Sequence, residues 1–217
     1  MKKGPIRRMS ADWNKAVGIA TSEGRRPTIG VMGSSGGHLS EEVRRKAYRL
    51  GEAIAERDAI LITGACPGLP YEAVRGARAK GGLVVGISPG LSIDEHRNKY
   101  ASPVEGFDVL IYTGSGLMGR EVTNIRSCDI VVIVGGRTGT LGELAIAYDE
   151  GRLIGVLTGT GGITGIVEEI LRISGKDTGA CVVYEEDPVT LIERLIHVYR
   201  TEHVRKPSCY YDARAEG

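Results

Sequence analysis

The sequence predicts a single α/β domain, built as one doubly wound parallel sheet of about seven strands with helices on both faces. Three observations carry that expectation. Strand-like and helix-like segments alternate from about residue 27 to about residue 202. The run Ile130-Val131-Val132-Ile133-Val134 is wholly β-branched and apolar, the pattern of a strand covered on both faces in the middle of a parallel sheet. The turns after the strands are rich in glycine, which accounts for 32 of the 217 residues without any collagen-like period.

Taken in order, residues 1–26 are polar and basic apart from Trp13 and read as an N-terminal arm. Pro27 to Gly33 is the first strand, and Ser34-Ser35-Gly36-Gly37 its turn. Ser40 is a good N-cap for a helix whose apolar positions Val43, Ala47, Leu50 and Ile54 keep helical spacing. Ala59 to Thr63 is the second strand, followed by Gly64-Ala65-Cys66-Pro67-Gly68 and a helix from about Pro70 to Lys80 that Gly81-Gly82 stops. Leu83 to Ser88 is the third strand. The long connection 89–106 is where the chain is expected to cross to the other side of the first strand. Asp108 to Tyr112 is the fourth strand, Gly119 to Ser127 a short helix, and Ile130 to Val134 the fifth strand. A helix from Leu141 to about Glu150 follows, then a strand at Leu153–Leu157, a helix near Ile163 to Ile173, a strand at Cys181–Tyr184, and a closing helix from Pro188 to about Glu202. The domain is expected to span 27–205, with a tail at 206–217 that carries Cys209-Tyr210-Tyr211.

Composition excludes several function classes. The 28 basic and 27 acidic side chains leave a net charge of +1, so no electrostatic footprint for nucleic acid or an anionic membrane is expected. No apolar run approaches the roughly 18 residues of a membrane span, and no hydrophobic stretch follows Met1-Lys2-Lys3 to make a secretory signal. Cys66, Cys128, Cys181 and Cys209 are scattered without a C-x-x-C pair, which suits reduced thiols in a cytoplasmic protein. With no H-E-x-x-H either, no metal site is expected.

In a doubly wound sheet, ligands lie beyond the C-terminal ends of the strands where the strand order reverses. The glycine-rich loops after strands one, two, four and five converge there. Gly114-Ser115-Gly116-Leu117-Met118-Gly119 spells G-x-G-x-x-G, but no acid stands at the end of the next strand to hold a dinucleotide ribose, so NAD is not expected. Gly135-Gly136-Arg137-Thr138-Gly139-Thr140 joins the central strand to a helix N-terminus, where unpaired N–H groups and the helix dipole favour an anion. Thr140-Leu141-Gly142-Glu143 is also T-x-x-E, a capping box, and that structural role competes with a functional one for Glu143. Arg120 and Glu143, on neighbouring segments at the switch point, are expected to face the ligand together.

Gly135 to Glu143 resembles the PGGxGTxxE signature of the LOG family, the cytokinin-activating phosphoribohydrolases often mislabelled as lysine decarboxylases. Arg120, nine residues before Asp129, keeps the interval of the same pattern, and Gly33-Ser34-Ser35 and Gly64 to Gly68 look like the family's first two loops. Gly135 stands where the signature has Pro, Arg137 where it has the second Gly, and the family's His-x-Arg-Lys reads Met118-Gly119-Arg120-Glu121. This form, with Thr158-Gly159-Thr160-Gly161-Gly162-Ile163-Thr164 after strand six, looks closer to a Rossmann-like branch that contains molybdenum cofactor carrier proteins. A decarboxylase would need a Schiff-base lysine, and no lysine lies at the glycine turns.

The resemblance implies two functions. One is hydrolysis of a nucleoside 5′-monophosphate to a purine-type base and ribose 5-phosphate, with Arg120 and Glu143 catalytic and no cofactor required. Gly33, Ser34, Ser35, Gly64, Gly68, Gly135, Gly136, Arg137, Thr138, Gly139 and Thr140 would then bind phosphate or nucleotide. The other is a carrier that holds a nucleotide or a pterin phosphate such as the molybdenum cofactor without turning it over. A homodimer or higher homo-oligomer is implied by either, and a dimer with a vestigial site is a third possibility, with the Trp13 arm and the tail as candidate contacts.

Overall fold

In the computed structural model, which describes residues 25–203, seven strands form: β1 (Thr28–Gly33), β2 (Ile60–Thr63), β3 (Val84–Ser88), β4 (Val109–Tyr112), β5 (Ile130–Val134), β6 (Leu153–Leu157) and β7 (Cys181–Glu185). They make one parallel sheet in the order β4-β3-β2-β1-β5-β6-β7. The helices are α1 (Glu41–Glu56), α2 (Leu69–Ala79), α3 (Gly116–Arg126), α4 (Thr138–Asp149), α5 (Val167–Ser174) and α6 (Pro188–Thr201). Ser40 caps α1 as expected, its Oγ accepting from the Val43 N–H. Most of the expected arm, with Trp13, and the tail with Cys209-Tyr210-Tyr211 lie outside the described residues.

Alternation along the central strands sorts the core into two layers. Ile29, Val31, Val132 and Val134 face Leu50 and Ile54 of α1, Leu69 and Val74 of α2, and Leu191 and Leu195 of α6. Met32, Val131 and Ile133 face the other way, onto Ile125 of α3, Leu144 and Ala147 of α4, and Val167 of α5. β5 is buried at every residue. That is why its sequence is an unbroken apolar run rather than an alternating one.

The crossing lies elsewhere than expected. β4 pairs with β3, and the Asp108 carboxylate fixes that edge by accepting from the Val84 N–H at 2.8 Å. The connection 89–106 therefore stays on one side, and the chain crosses only afterwards, through α3, to place β5 beside β1. Within that connection a short π-helical turn, Glu95–Lys99, buries His96, whose ring bonds to Ser88 Oγ and the Pro103 carbonyl. The switch point thus falls between β1 and β5, and α3 overhangs it. At the opposite end of the sheet Asp129 accepts from Thr28 N–H and Oγ1, each at 2.9 Å, so it sets the β1–β5 register and takes no part in the cleft. Among the described residues no helix is long and apolar enough to cross a membrane.

Candidate functional site

The chain leaves β5 through Gly135 and Gly136, with φ of 61° and 99°, a left-handed pair open to glycine at little cost. Two hydroxyls from flanking loops hold this turn. Gly135 N–H donates to Thr160 Oγ1 at 2.9 Å and Gly136 N–H to Ser34 Oγ at 2.8 Å. Arg137 is then extended, and α4 begins at Thr138, three residues before the expected start. The first intrahelical bond runs from Leu141 N–H to the Arg137 carbonyl. The N–H groups of Thr138, Gly139 and Thr140 thus have no intrahelical acceptor, and no side chain caps them. The free N–H groups thus fall on a shorter stretch than the Gly135–Thr140 expected from the sequence. The backbone donors of Gly135 and Gly136 are already spent on the turn, which leaves those of Thr138–Thr140.

The early start also dissolves the capping box. Thr140 lies inside α4 rather than at its cap, and both Thr140 and Glu143 are buried on the face turned to the cleft. That cleft, about 400 Å³ in volume, is lined by Gly33, Ser34 and Ser35 after β1, Gly64 and Cys66 after β2, Arg120 and Glu121 with Leu117 and Met118 from α3, and Arg137, Thr138, Gly139, Thr140 and Glu143. Of the expected site residues, Gly68, Gly135 and Gly136 stand behind this lining. Gly68 packs against the Ser34-Ser35 backbone so closely that a Cβ would strike the Ser34 carbonyl. The Arg137 side chain is exposed and reaches toward the loop after β1, its Nη2 3.8 Å from where a Gly36 Cβ would stand.

Arg120 is only 6% exposed, yet its Nε and Nη1 have no hydrogen-bond partner. The guanidinium lies against Gly64, the one residue type whose backbone leaves it room. It acts on Glu143 and Glu121 through its field rather than through a hydrogen bond. Burial lifts the Glu143 carboxyl to about 7; Arg120 and the Asn124 amide pull it down, and the neighbouring Glu121 pushes it up. Glu121 is raised by burial as well, again opposed by Arg120. Burial pushes the Cys66 thiol up to about 11, which keeps it protonated. An unpartnered guanidinium, two acids of weakened acidity and a helix N-terminus therefore converge on one small volume. Such an arrangement can hold an anion at one end and exchange protons or hydrogen bonds beside it.

Three residues were given no part by the sequence reading. Glu121 entered only as part of Met118-Gly119-Arg120-Glu121, and its one further signal is Gly142, a mid-helix glycine with no turn to explain it. Thr160 and Thr164 act from behind the turn. Thr160 Oγ1 donates to the Leu157 carbonyl at 2.5 Å while it accepts from Gly135, and Thr164 Oγ1 donates to the Gly161 carbonyl at 2.7 Å.

Several proteins share this fold and sequence pattern. An uncharacterized protein of Archaeoglobus fulgidus is 40% identical over 129 residues, covering 59% of this chain and 78% of that protein. The molybdenum cofactor binding protein of Rippkaea orientalis superposes with a TM-score of 0.64 at 28% identity, covering 80% of this chain and 99% of that one. The molybdenum cofactor carrier protein of Chlamydomonas reinhardtii gives 0.64 and 28%, over 80% and 98%. The two molybdenum cofactor proteins are of the kind expected beside the LOG-like resemblance. Residues 26–192 match the SLOG cluster4 family, and the chain belongs to that family.

Proposed function

We propose that the chain binds a phosphorylated small molecule, its phosphate on the N-terminus of α4 and its remainder between Arg120, Glu121 and Glu143. The observation that carries this reading is the pairing of uncapped N–H groups at Thr138, Gly139 and Thr140 with a buried Arg120 that has two unpartnered nitrogens. The buried guanidinium is costly without a partner, and both features are satisfied by an oxyanion. Arg137 adds an exposed positive charge at the mouth.

Two occupants fit. A pterin phosphate of the molybdenum cofactor type, carried as cargo, is supported by the two solved relatives named for that cofactor. Its phosphate suits the helix terminus, and its ring carbonyl suits Arg120. Native mass spectrometry of protein purified from its source tests this, with a retained pterin phosphate expected and a site that returns only sugar phosphates or nucleotides counting against it.

The second reading is hydrolysis of a nucleoside 5′-monophosphate, and Glu143 favours it. A carboxyl held near 7 inside the cleft is poised to take a proton from water. Water then adds to C1′ of the ribose as the bond to the base nitrogen breaks through an oxocarbenium-like state; Glu143 takes the water's proton and passes it to the departing base nitrogen, while Arg120 binds the phosphate or ribose. Chromatography of purine monophosphates incubated with the protein tests it. If no free base forms from any of them, this reading is lost.

We further place the ligand-binding domain at 27–205, in a cytoplasmic protein whose Cys66, Cys128 and Cys181 stay reduced. A second copy is proposed against the β4 edge, where Val109 and Ile111 are about half exposed and Leu117 and Met118 follow along the chain; a monomer by light scattering removes it.

A further inference from the structure

Glu121 is an acid without an assigned partner. It is 6% exposed and lines the cleft. Burial and the field of Arg120 are what act on it, and it has no hydrogen bond to hold its charge. α4 is shaped around it. Its Oε1 lies 3.6 Å from where a Gly139 Cβ would stand, and its Oε2 3.0 Å from a Gly142 Cβ. A glycine at position 142, inside α4, gives up about 1 kcal/mol of helix propensity relative to alanine, and what that position gains is room for this carboxylate.

The location restricts what Glu121 can recognise. Gly139 is the middle residue of the three that offer N–H groups to the anion, so Glu121 stands beside the phosphate position. A carboxylate there repels a bare dianion and favours a ligand whose hydrogen-bond donors lie close to its phosphate. Two oxygens on one planar group match two adjacent O–H donors. In a ribose 5-phosphate unit, the vicinal hydroxyls lie a few bonds from the phosphate. The same acid is a poor neighbour for the anionic dithiolene of a metal-loaded pterin.

We infer that Glu121 is the specificity-determining residue of this cleft, and that it selects ligands bearing a vicinal diol next to their phosphate, the chemistry of a ribose 5-phosphate unit. The inference rests on the phosphate-site reading above and decides between its two occupants.

Calorimetry with inorganic phosphate, ribose 5-phosphate and 2-deoxyribose 5-phosphate tests it on wild type and Glu121→Gln, with thermal melts to confirm that both are folded. None of these probes has a base to lose, so turnover does not interfere. Wild type is expected to prefer ribose 5-phosphate over its deoxy analogue by about 10- to 100-fold, the range for a lost hydrogen bond to a charged acceptor. In Glu121→Gln that preference should fall to about threefold or less, while inorganic phosphate binds several-fold more tightly because a like charge is gone. A purely structural role for Glu121 would leave the ratio of the two sugars unchanged. Equal binding of both sugar phosphates by wild type overturns the inference and leaves the phosphate site standing. If neither inorganic phosphate nor any sugar phosphate binds, the phosphate-site reading fails with it.

Discussion

The Arg120 guanidinium lies against the backbone of Gly64, so close that a Cβ on that glycine would collide with Nη1. An α3 side chain is thus seated on the loop after β2, across the switch point. Gly64→Ala should push the flexible end of Arg120 out of the cleft and disturb little else. Affinity for a phosphorylated ligand is expected to fall about 10-fold or more by calorimetry, with the melting temperature within about 3 °C of wild type.

Glu143 makes the stability of the protein pH-dependent in a direction that can be worked out. Its carboxyl ionises near 4.5 in the unfolded chain and near 7 in the folded one. The folded state therefore holds the proton more tightly. The associated stability is full below about 4.5 and is lost as pH rises through about 7. Glutamine does not titrate, so Glu143→Gln should gain on wild type as pH rises from 5 to 8, by up to about 3 kcal/mol. Urea denaturation of both proteins across that range measures the difference, and a difference independent of pH would mean that Glu143 is already ionised at pH 5.

Thr160 supports the turn before α4 from the loop after β6. Thr160→Val keeps the shape but strips the acceptor from Gly135 N–H and the donor from the Leu157 carbonyl, both buried. A loss of about 1–3 kcal/mol in urea denaturation is expected. Phosphate binding should weaken as well, because the turn that aims Thr138–Thr140 loses one of its two hydroxyl anchors.

Arg137 is exposed and caps nothing through its side chain. Arg137→Ala should leave stability within about 0.5 kcal/mol and weaken phosphate binding by a factor of about 3–10. That loss should shrink as salt rises. Titrations at low and high ionic strength separate this from a packing effect.

Most of the sheet was legible because a parallel strand buried on both faces writes its environment directly into sequence, as Ile130–Val134 does. The placement of the crossing was not, since nothing local in 89–106 reveals that Asp108 will bind the Val84 N–H and hold β4 to β3. The start of α4 was misread for a different reason. Thr140 and Glu143 have the spacing of a capping box, but the left-handed turn at Gly135-Gly136 launches the helix three residues sooner and carries both inside it. That Arg120 and Glu143 line one cleft was readable from their places near glycine turns, whereas the position of Glu121 beside them emerges only when α3 is laid against α4.

The loops around the cleft interlock through their main chains: a Cβ at Gly33 would strike the Val134 carbonyl, one at Gly68 the Ser34 carbonyl, and one at Gly162 the Gly136 carbonyl. The scaffold and the recognition surface are therefore written in separate alphabets. Glycines and the Ser34 and Thr160 hydroxyls hold the turn before α4 in place, while Met118 and Glu121 of α3 and Arg137 line the cleft without holding that turn. Substitutions at those three positions can redirect ligand preference on an unchanged frame, so relatives that keep the glycines are free to have diverged in what they hold.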